Sequence, residues 1–206
     1  MEQAYRTIAA LGTDECVIKK SRFIGRALPV TTAEEAMAFV GELKRRHWDA
    51  SHNVWAYVLR DGQRRYSDDG EPQGTAGMPA LDVLQKEGLM DCVVVITRYF
   101  GGTLLGAAGL VRAYAGACKA AIDAAGVVTM APTKTLQIKS DYSFFGKLQT
   151  LVPLYDGVVL STEFGERVVT ELRLEAGQAE RFCEKLVDAS NGTVRAEVVA
   201  EGFAVI

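Results

Sequence analysis

Residues 66 to 109 run YSDDGEPQGTAGMPALDVLQKEGLMDCVVVITRYFGGTLLGAAG, with glycine at 70, 74, 77, 88, 101, 102, 106 and 109. That density is more than twice the average usage of about 7 %. Clustered glycine marks places where the backbone needs a positive φ or must approach something closely. Between two glycine-rich loops lies Cys92 to Ile96, an uninterrupted apolar run that is β-branched at 93 to 96. Such a run predicts a central strand buried on both faces. The strand is expected to emerge at Thr97-Arg98-Tyr99-Phe100, turn through Gly101-Gly102-Thr103, and enter a helix near Leu104.

Two blocks within this stretch, Ser67 to Gly77 (SDDGEPQGTAG) and Val95 to Gly106 (VITRYFGGTLLG), resemble the signature blocks of the IMPACT family. The resemblance spans most of residues 15 to 126. Lys19-Lys20-Ser21-Arg22-Phe23, and Ser51-His52-Asn53 before a strand, fall where that family would place them. The resemblance implies an α+β protein of two domains, 1–131 and 132–206. The first would be similar to domain 2 of ribosomal protein S5 and to domain IV of elongation factor G. The second would resemble the ferredoxin-like domain V of that factor. It also implies a link with translational regulation, since eukaryotic members modulate a stress-kinase pathway through a ribosome-associated activator.

The rest of the chain supports two domains independently. Two hundred and six residues, 49 % hydrophobic and 24 % charged, fit one large domain or two ordinary ones. No apolar run approaches the ~20 residues that span a bilayer, so no membrane partner is expected. The opening MEQAYRTIAAL has no basic segment leading into an apolar one, which argues against a secretory leader and for the cytoplasm. Cys16, Cys92, Cys118 and Cys183 are widely spaced and read as free thiols, with no metal or other cofactor implied.

In chain order, residues 15 to 30 form one bent strand or a pair broken near Lys20-Ser21, carrying Lys19, Lys20, Arg22 and Arg26. A charged strand edge discourages unwanted pairing, yet this is the best basic cluster in the chain. Thr32 and Glu35 predict a capping box opening a helix to His47, with Glu42, Lys44, Arg45 and Arg46 on its far face. A strand over Asn53 to Leu59, a turn at Asp61-Gly62 and a short helix from Pro79 to Lys86 follow. The helix over 104 to 126 is so rich in Gly and Ala that it should lie tight against the sheet. Val127 to Pro132 is expected to be a connection between domains. Beyond it the periodicity predicts βαββαβ, a ferredoxin-like sandwich whose open face carries Gln137, Lys139, Glu171, Arg173, Arg195 and Glu197. That face lacks the stacking aromatics of an RNA-recognition motif.

Candidate site residues follow from the glycine loops. Asp68, Asp69 and Glu71 offer carboxylates for a hard cation or for acid and base work. Alternatively, Asp68 and Asp69 cap a turn and pair with Arg98. The second reading is preferred because no histidine, lysine or serine stands beside them in a catalytic arrangement, and no catalytic residue is assigned. Gly74-Thr75-Ala76-Gly77 and Gly101-Gly102 can present N–H groups to an anion, although no nucleotide-binding motif follows them. Arg98, Tyr99 and Phe100 combine an anion-binding fork with flat contact area. His52 is read as a recognition group or turn cap, and Trp48, Trp55 and Tyr57 as core or loop anchors.

Charge tempers the nucleic-acid reading. Residues 1 to 131 carry 15 Lys+Arg against 15 Asp+Glu, and residues 132 to 206 carry 8 against 11, which together make the 23 and 26 of the whole chain. Binding to RNA would therefore need a local basic patch. The expected function is a non-enzymatic regulator of translation that binds the ribosome, RNA or a translation-associated protein. The alternative is a phosphate-bearing small ligand, or an enzyme, using the Asp68–Gly77 and Arg98–Gly102 loops.

Overall fold

The computed structural model describes residues 3–205. Met1 and Glu2, which belong to the opening segment considered above for a leader, lie outside them. The elements run β1 (Tyr5–Ile8), β2 (Gly12–Ile18), β3 (Ser21–Pro29), α1 (Ala33–Arg46), β4 (His52–Val58), β5 (Arg64–Ser67), α2 (Gly77–Lys86), β6 (Cys92–Tyr99) and α3 (Ala107–Ala125). They continue as β7 (Val127–Ser140), α4 (Tyr142–Leu151), β8 (Val158–Phe164), β9 (Val168–Glu175), α5 (Ala176–Ala189) and β10 (Ala196–Val205). Residues 5–129 make one compact unit, and residues 130–205 with 3 and 4 make another.

In the first unit the strands order β2-β3-β6-β4-β5, with β6 in the middle and every neighbour antiparallel. Val93 to Ile96 are wholly shielded from solvent, as a strand covered on both faces requires. Phe23, Val54, Ala56, Val94 and Ile96 pack with α2 and α3 on one face, while Trp55, Tyr57, Val93 and Val95 pack with Val40 and Leu43 of α1 on the other. The small residues of α3 have a definite counterpart. A Cβ on Gly25 of β3 would lie 2.5 Å from the Ala117 carbonyl oxygen, so helix and strand touch backbone to backbone.

The residues 15 to 30 resolve into a hairpin. Its two-residue turn is Lys19-Lys20, both at positive φ (45° and 67°), where Asn-Gly is the usual choice. Thr32 caps α1 by accepting from the Glu35 N–H, and the Glu35 carboxylate accepts from the N–H and hydroxyl of Thr31, one residue earlier than a simple capping box would have it. Trp55 and Tyr57 are core residues stacked 6.0 Å apart, but Trp48 is 83 % exposed and lies outside the core.

In the second unit the order β10-β7-β9-β8, antiparallel throughout, with α4 and α5 on one face, is the ferredoxin-like βαββαβ arrangement. Its core is Leu136, Ile138, Leu148, Leu172, Leu174, Phe182 and Leu186. Residues 127 to 132 are not a loop but the start of β7. Pro132 is accommodated because it pairs with Phe203 on β10, while the ladder to β9 begins only at Thr133. On the open face Gln137 donates to Glu171, its cross-strand partner, at 3.3 Å. Among the described residues no helix is long and apolar enough to cross a membrane.

Candidate functional site

The three carboxylates at 68 to 71 have three separate destinations. Asp69 (φ 47°) and Gly70 (φ 89°) reverse the chain between them, so neighbours in sequence diverge in space. Asp68 lies at the N-terminus of α2 and accepts from the N–H groups of Gly74 (2.9 Å), Ala76 (3.1 Å) and Gly77 (2.8 Å). The anion held by this glycine loop is thus the protein's own carboxylate, in the place where a helix favours negative charge. Thr75, buried, donates its hydroxyl to the Pro72 carbonyl, and a Cβ on Gly77 would press on the Ser67 carbonyl at 2.6 Å. Asp69 pairs with Lys44 of α1 and accepts from the Asn53 N–H at 2.6 Å.

Glu71 is the partner of Arg98, in place of the Asp68 or Asp69 pairing expected from the sequence. One Glu71 oxygen takes both the Arg98 guanidinium and the Tyr114 hydroxyl (2.7 Å), and the other lies 3.8 Å from His52 Nε2. Arg98 is 4 % exposed. Its guanidinium sits over the rings of Phe23 (5.3 Å) and Phe100 (5.5 Å), and a second arm meets Ser21 Oγ at 3.3 Å. Burial first, then the hydrogen bond to Glu71, pushes the Tyr114 phenol far above its ordinary range, so it stays a donor. His52 fastens the loop by its Nδ1, 2.8 Å from the Asp69 carbonyl oxygen. The strand end therefore does not present Arg98 outward; it ties the 67–77 loop to the sheet. Gly101 N–H is bonded to Ser21 Oγ (3.2 Å), and a Cβ there would overlap the Lys20 backbone. Gly102, at φ 82°, and half-exposed Phe100 form the outer part of that loop.

A different face collects exposed cation and aromatic surface. Arg22 pairs across the sheet with Tyr99, and Arg26 with Val95, which puts both arginines on the side of the sheet that α1 covers. The last turn of α1 brings Lys44, Arg45 and Arg46, matching the helix C-terminal dipole, and exposed Trp48 follows. The Tyr99 hydroxyl lies 2.8 Å from His47 Nδ1 and donates to Asp49 at 3.2 Å, joining the end of α1 to β6. Arg22 is held by Glu15 through two bonds (2.6 and 2.7 Å), and Arg46 by Glu42 (2.8 Å). Arg26 has no such acid among the described residues. Lys19 and Lys20 stand exposed at the hairpin tip.

The sequence pointed to Arg22, Arg26 and Tyr99 but not to Arg46, His47 and Trp48 as their companions. The run Lys44-Arg45-Arg46-His47-Trp48 was the available signal. It became meaningful only once α1 was laid over β3 and β6.

Compared with known proteins, residues 19–122 match the Impact N-terminal domain, and residues 138–193 match a domain of unknown function, DUF1949. The chain is 38 % identical over 194 residues to the IMPACT family member YvyE of Bacillus subtilis, covering 93 % of this chain and 89 % of that protein. It is 34 % identical over 188 residues to the IMPACT family member YigZ of Escherichia coli, covering 89 % and 92 %. A crystal structure of a hypothetical protein, 32 % identical, superposes with a TM-score of 0.63 over 97 % of this chain and 99 % of that one. On matches that span both of its units, the chain belongs to the IMPACT family.

Proposed function

We propose that the chain is a non-catalytic, translation-associated protein whose ligand is RNA, ribosomal RNA foremost. The observation that carries this reading is the face where Arg22 and Arg26 of β3 and Arg46 of α1 lie with half-buried Tyr99, the exposed Trp48 following His47 in the chain. Cations neutralise phosphates and aromatic rings accept unpaired bases, the two contributions that sequence-tolerant RNA binding needs. The family's link with translational regulation, implied by the resemblance, makes the ribosome the first place to look. A chain that is near neutral overall can still bind through such a patch, because the field of a local cluster acts over about 8 Å at physiological salt.

The alternative, a phosphate-bearing small ligand in the 68–77 and 98–102 loops, has less support. The donors it would use are already bonded, Gly74, Ala76 and Gly77 to Asp68 and Gly101 to Ser21.

The test is co-sedimentation with ribosomes at low and high salt, comparing the native protein with the double variant Arg46→Gln/Trp48→Ala. Binding that fades with salt and is lost in the variant supports the reading. Retention of the variant at native levels, or binding only after ribosomal proteins rather than RNA are supplied, would overturn it in favour of a protein partner.

A further inference from the structure

Among the described residues six other than glycine stand at positive φ, and four of them are Asp or Asn, whose short polar side chains tolerate it: Asp69, Asp91, Asp156 and Asn191. The other two are Lys19 and Lys20. Ile18 pairs with Ser21 across them, so they fill the two central positions of a tight hairpin turn that demands left-handed backbone at both. Lysine has a Cβ that opposes this conformation and no short polar group to relieve it. Strain that persists where Asn-Gly would remove it points to a use for the side chains.

The turn is packed against a second loop. A Cβ on Gly101 would lie 2.0 Å from the Lys20 carbonyl carbon, and the Gly101 N–H donates to Ser21 Oγ at 3.2 Å, so the loop after β6 touches the turn backbone to backbone. Phe100, the preceding residue, is fixed by its N–H to Ser51 Oγ at 3.1 Å. Its ring takes the Arg98 guanidinium at 5.5 Å, yet the residue stays 49 % exposed. Neither 16–26 nor 98–106 contains an acid. Lys19 and Lys20 are exposed, and among the described residues neither has an ion-pair partner. Two unneutralised ammonium groups beside an exposed ring are complementary to phosphates followed by a base.

We infer that this tip is a second contact for bound RNA, in which the Lys19 and Lys20 ammonium groups neutralise two backbone phosphates of an unpaired strand and Phe100 stacks on one of its bases. The inference rests on the RNA reading above and adds a site to it. Arg22, two residues beyond Lys20, links the tip to the arginine face.

The experiment measures binding of a labelled oligouridylate to the full chain by fluorescence anisotropy at several salt concentrations, with the urea midpoint of every variant recorded alongside. Lys19→Asn/Lys20→Gly is expected to raise the midpoint, because the turn gains its preferred residues, and to weaken binding. The slope of log affinity against log salt should shrink by about 1.4, the value for two phosphates of a single strand. Loss of binding in a more stable protein cannot come from unfolding. Lys19→Arg/Lys20→Arg keeps the native affinity and slope. Phe100→Leu weakens binding about tenfold, within the range for one stacked base, and leaves the slope unchanged. Lys185→Gln, on α5, changes neither. Native affinity and slope in Lys19→Asn/Lys20→Gly, or native affinity in Phe100→Leu, overturn the tip. If binding survives those changes but is lost in Arg46→Gln/Trp48→Ala, the RNA reading stands without it. If neither oligouridylate nor ribosomes bind the native protein, both fall together. A polyglutamate of matched charge that binds as tightly, and is released by Lys19→Asn/Lys20→Gly, assigns the tip to an acidic protein segment and overturns its RNA role.

Discussion

Arg98 and Glu71, 27 residues apart in sequence, meet as an ion pair whose side chains are 5 % and 4 % exposed. The pair joins the end of the central strand to the loop that precedes α2, and the Tyr114 hydroxyl on α3 closes it from the helix side. Three elements far apart in the chain thus depend on one buried carboxylate. Arginine beside glycine turns resembles a recognition surface in the sequence, but here its position in the fold makes it a fastening.

Removing one partner of a buried pair leaves the other charge uncompensated, at a cost of about 3–5 kcal/mol. Arg98→Ala is therefore expected to destabilise the first unit by about that amount, measured by urea unfolding. Arg98→Met combined with Glu71→Gln, which removes both charges, should lose less. An Arg98→Ala protein within about 1 kcal/mol of native stability would show that the pair does not fasten the loop.

Asp68 supplies three acceptor contacts to the N-terminus of α2. Asp68→Ala is expected to cost about 2 kcal/mol, the upper end for a lost helix cap, with amide exchange accelerating first at Gly74, Ala76 and Gly77. Asp68→Asn keeps an acceptor and should recover part of the loss. Amide protection at those three positions that is unchanged in Asp68→Ala would refute the capping role.

How far these features could be read beforehand depends on whether they are local. The apolar run at 92 to 96, the cap at Thr32 and the alternation of the second unit are local patterns, and each produced the expected element. The close contact of α3 with β3 was legible as a run of small residues, although its partner Gly25 was not. The two units do part between 129 and 130, but that the stretch is strand rather than loop was hidden by Gly126 and Pro132, because only β10, with Phe203 opposite the proline, makes it the start of β7. The choice of Glu71 over Asp68 and Asp69 as the partner of Arg98 was also out of reach. It follows from two successive positive φ angles that direct each carboxylate to a different neighbour.

The four thiols divide by burial. Cys92 is pushed up to about 12, chiefly by burial and then by Asp91, and Cys118 is raised as well, by burial first. Cys16 and Cys183 are only partly buried. A thiol reagent at pH 8 is expected to modify Cys16 and Cys183 slowly, and Cys92 and Cys118 only after unfolding. Peptide mapping of the labelled protein checks this. Early labelling at Cys118 would mean that α3 separates from α2 in the native state.

His47 sets a pH dependence of stability whose sign follows from its surroundings. Burial first, then Arg26 and Arg46, holds its ring below the ordinary histidine value of about 6.5. The native state therefore favours the neutral ring. Above the unfolded value both states are neutral and His47 contributes no slope. As pH falls below it, the unfolded chain takes up a proton that the native protein resists, so stability declines until the lower native value is passed and the curve flattens. His47→Gln removes that decline, and Arg26→Gln should shrink it by taking away the first of the opposing charges. Urea midpoints measured from pH 7.5 down to 5 in low-phosphate buffer compare the three proteins directly. A native protein whose midpoint rises on acidification in this window would mean that His47 is stabilised in its charged form, with Asp49 outweighing burial and the arginines.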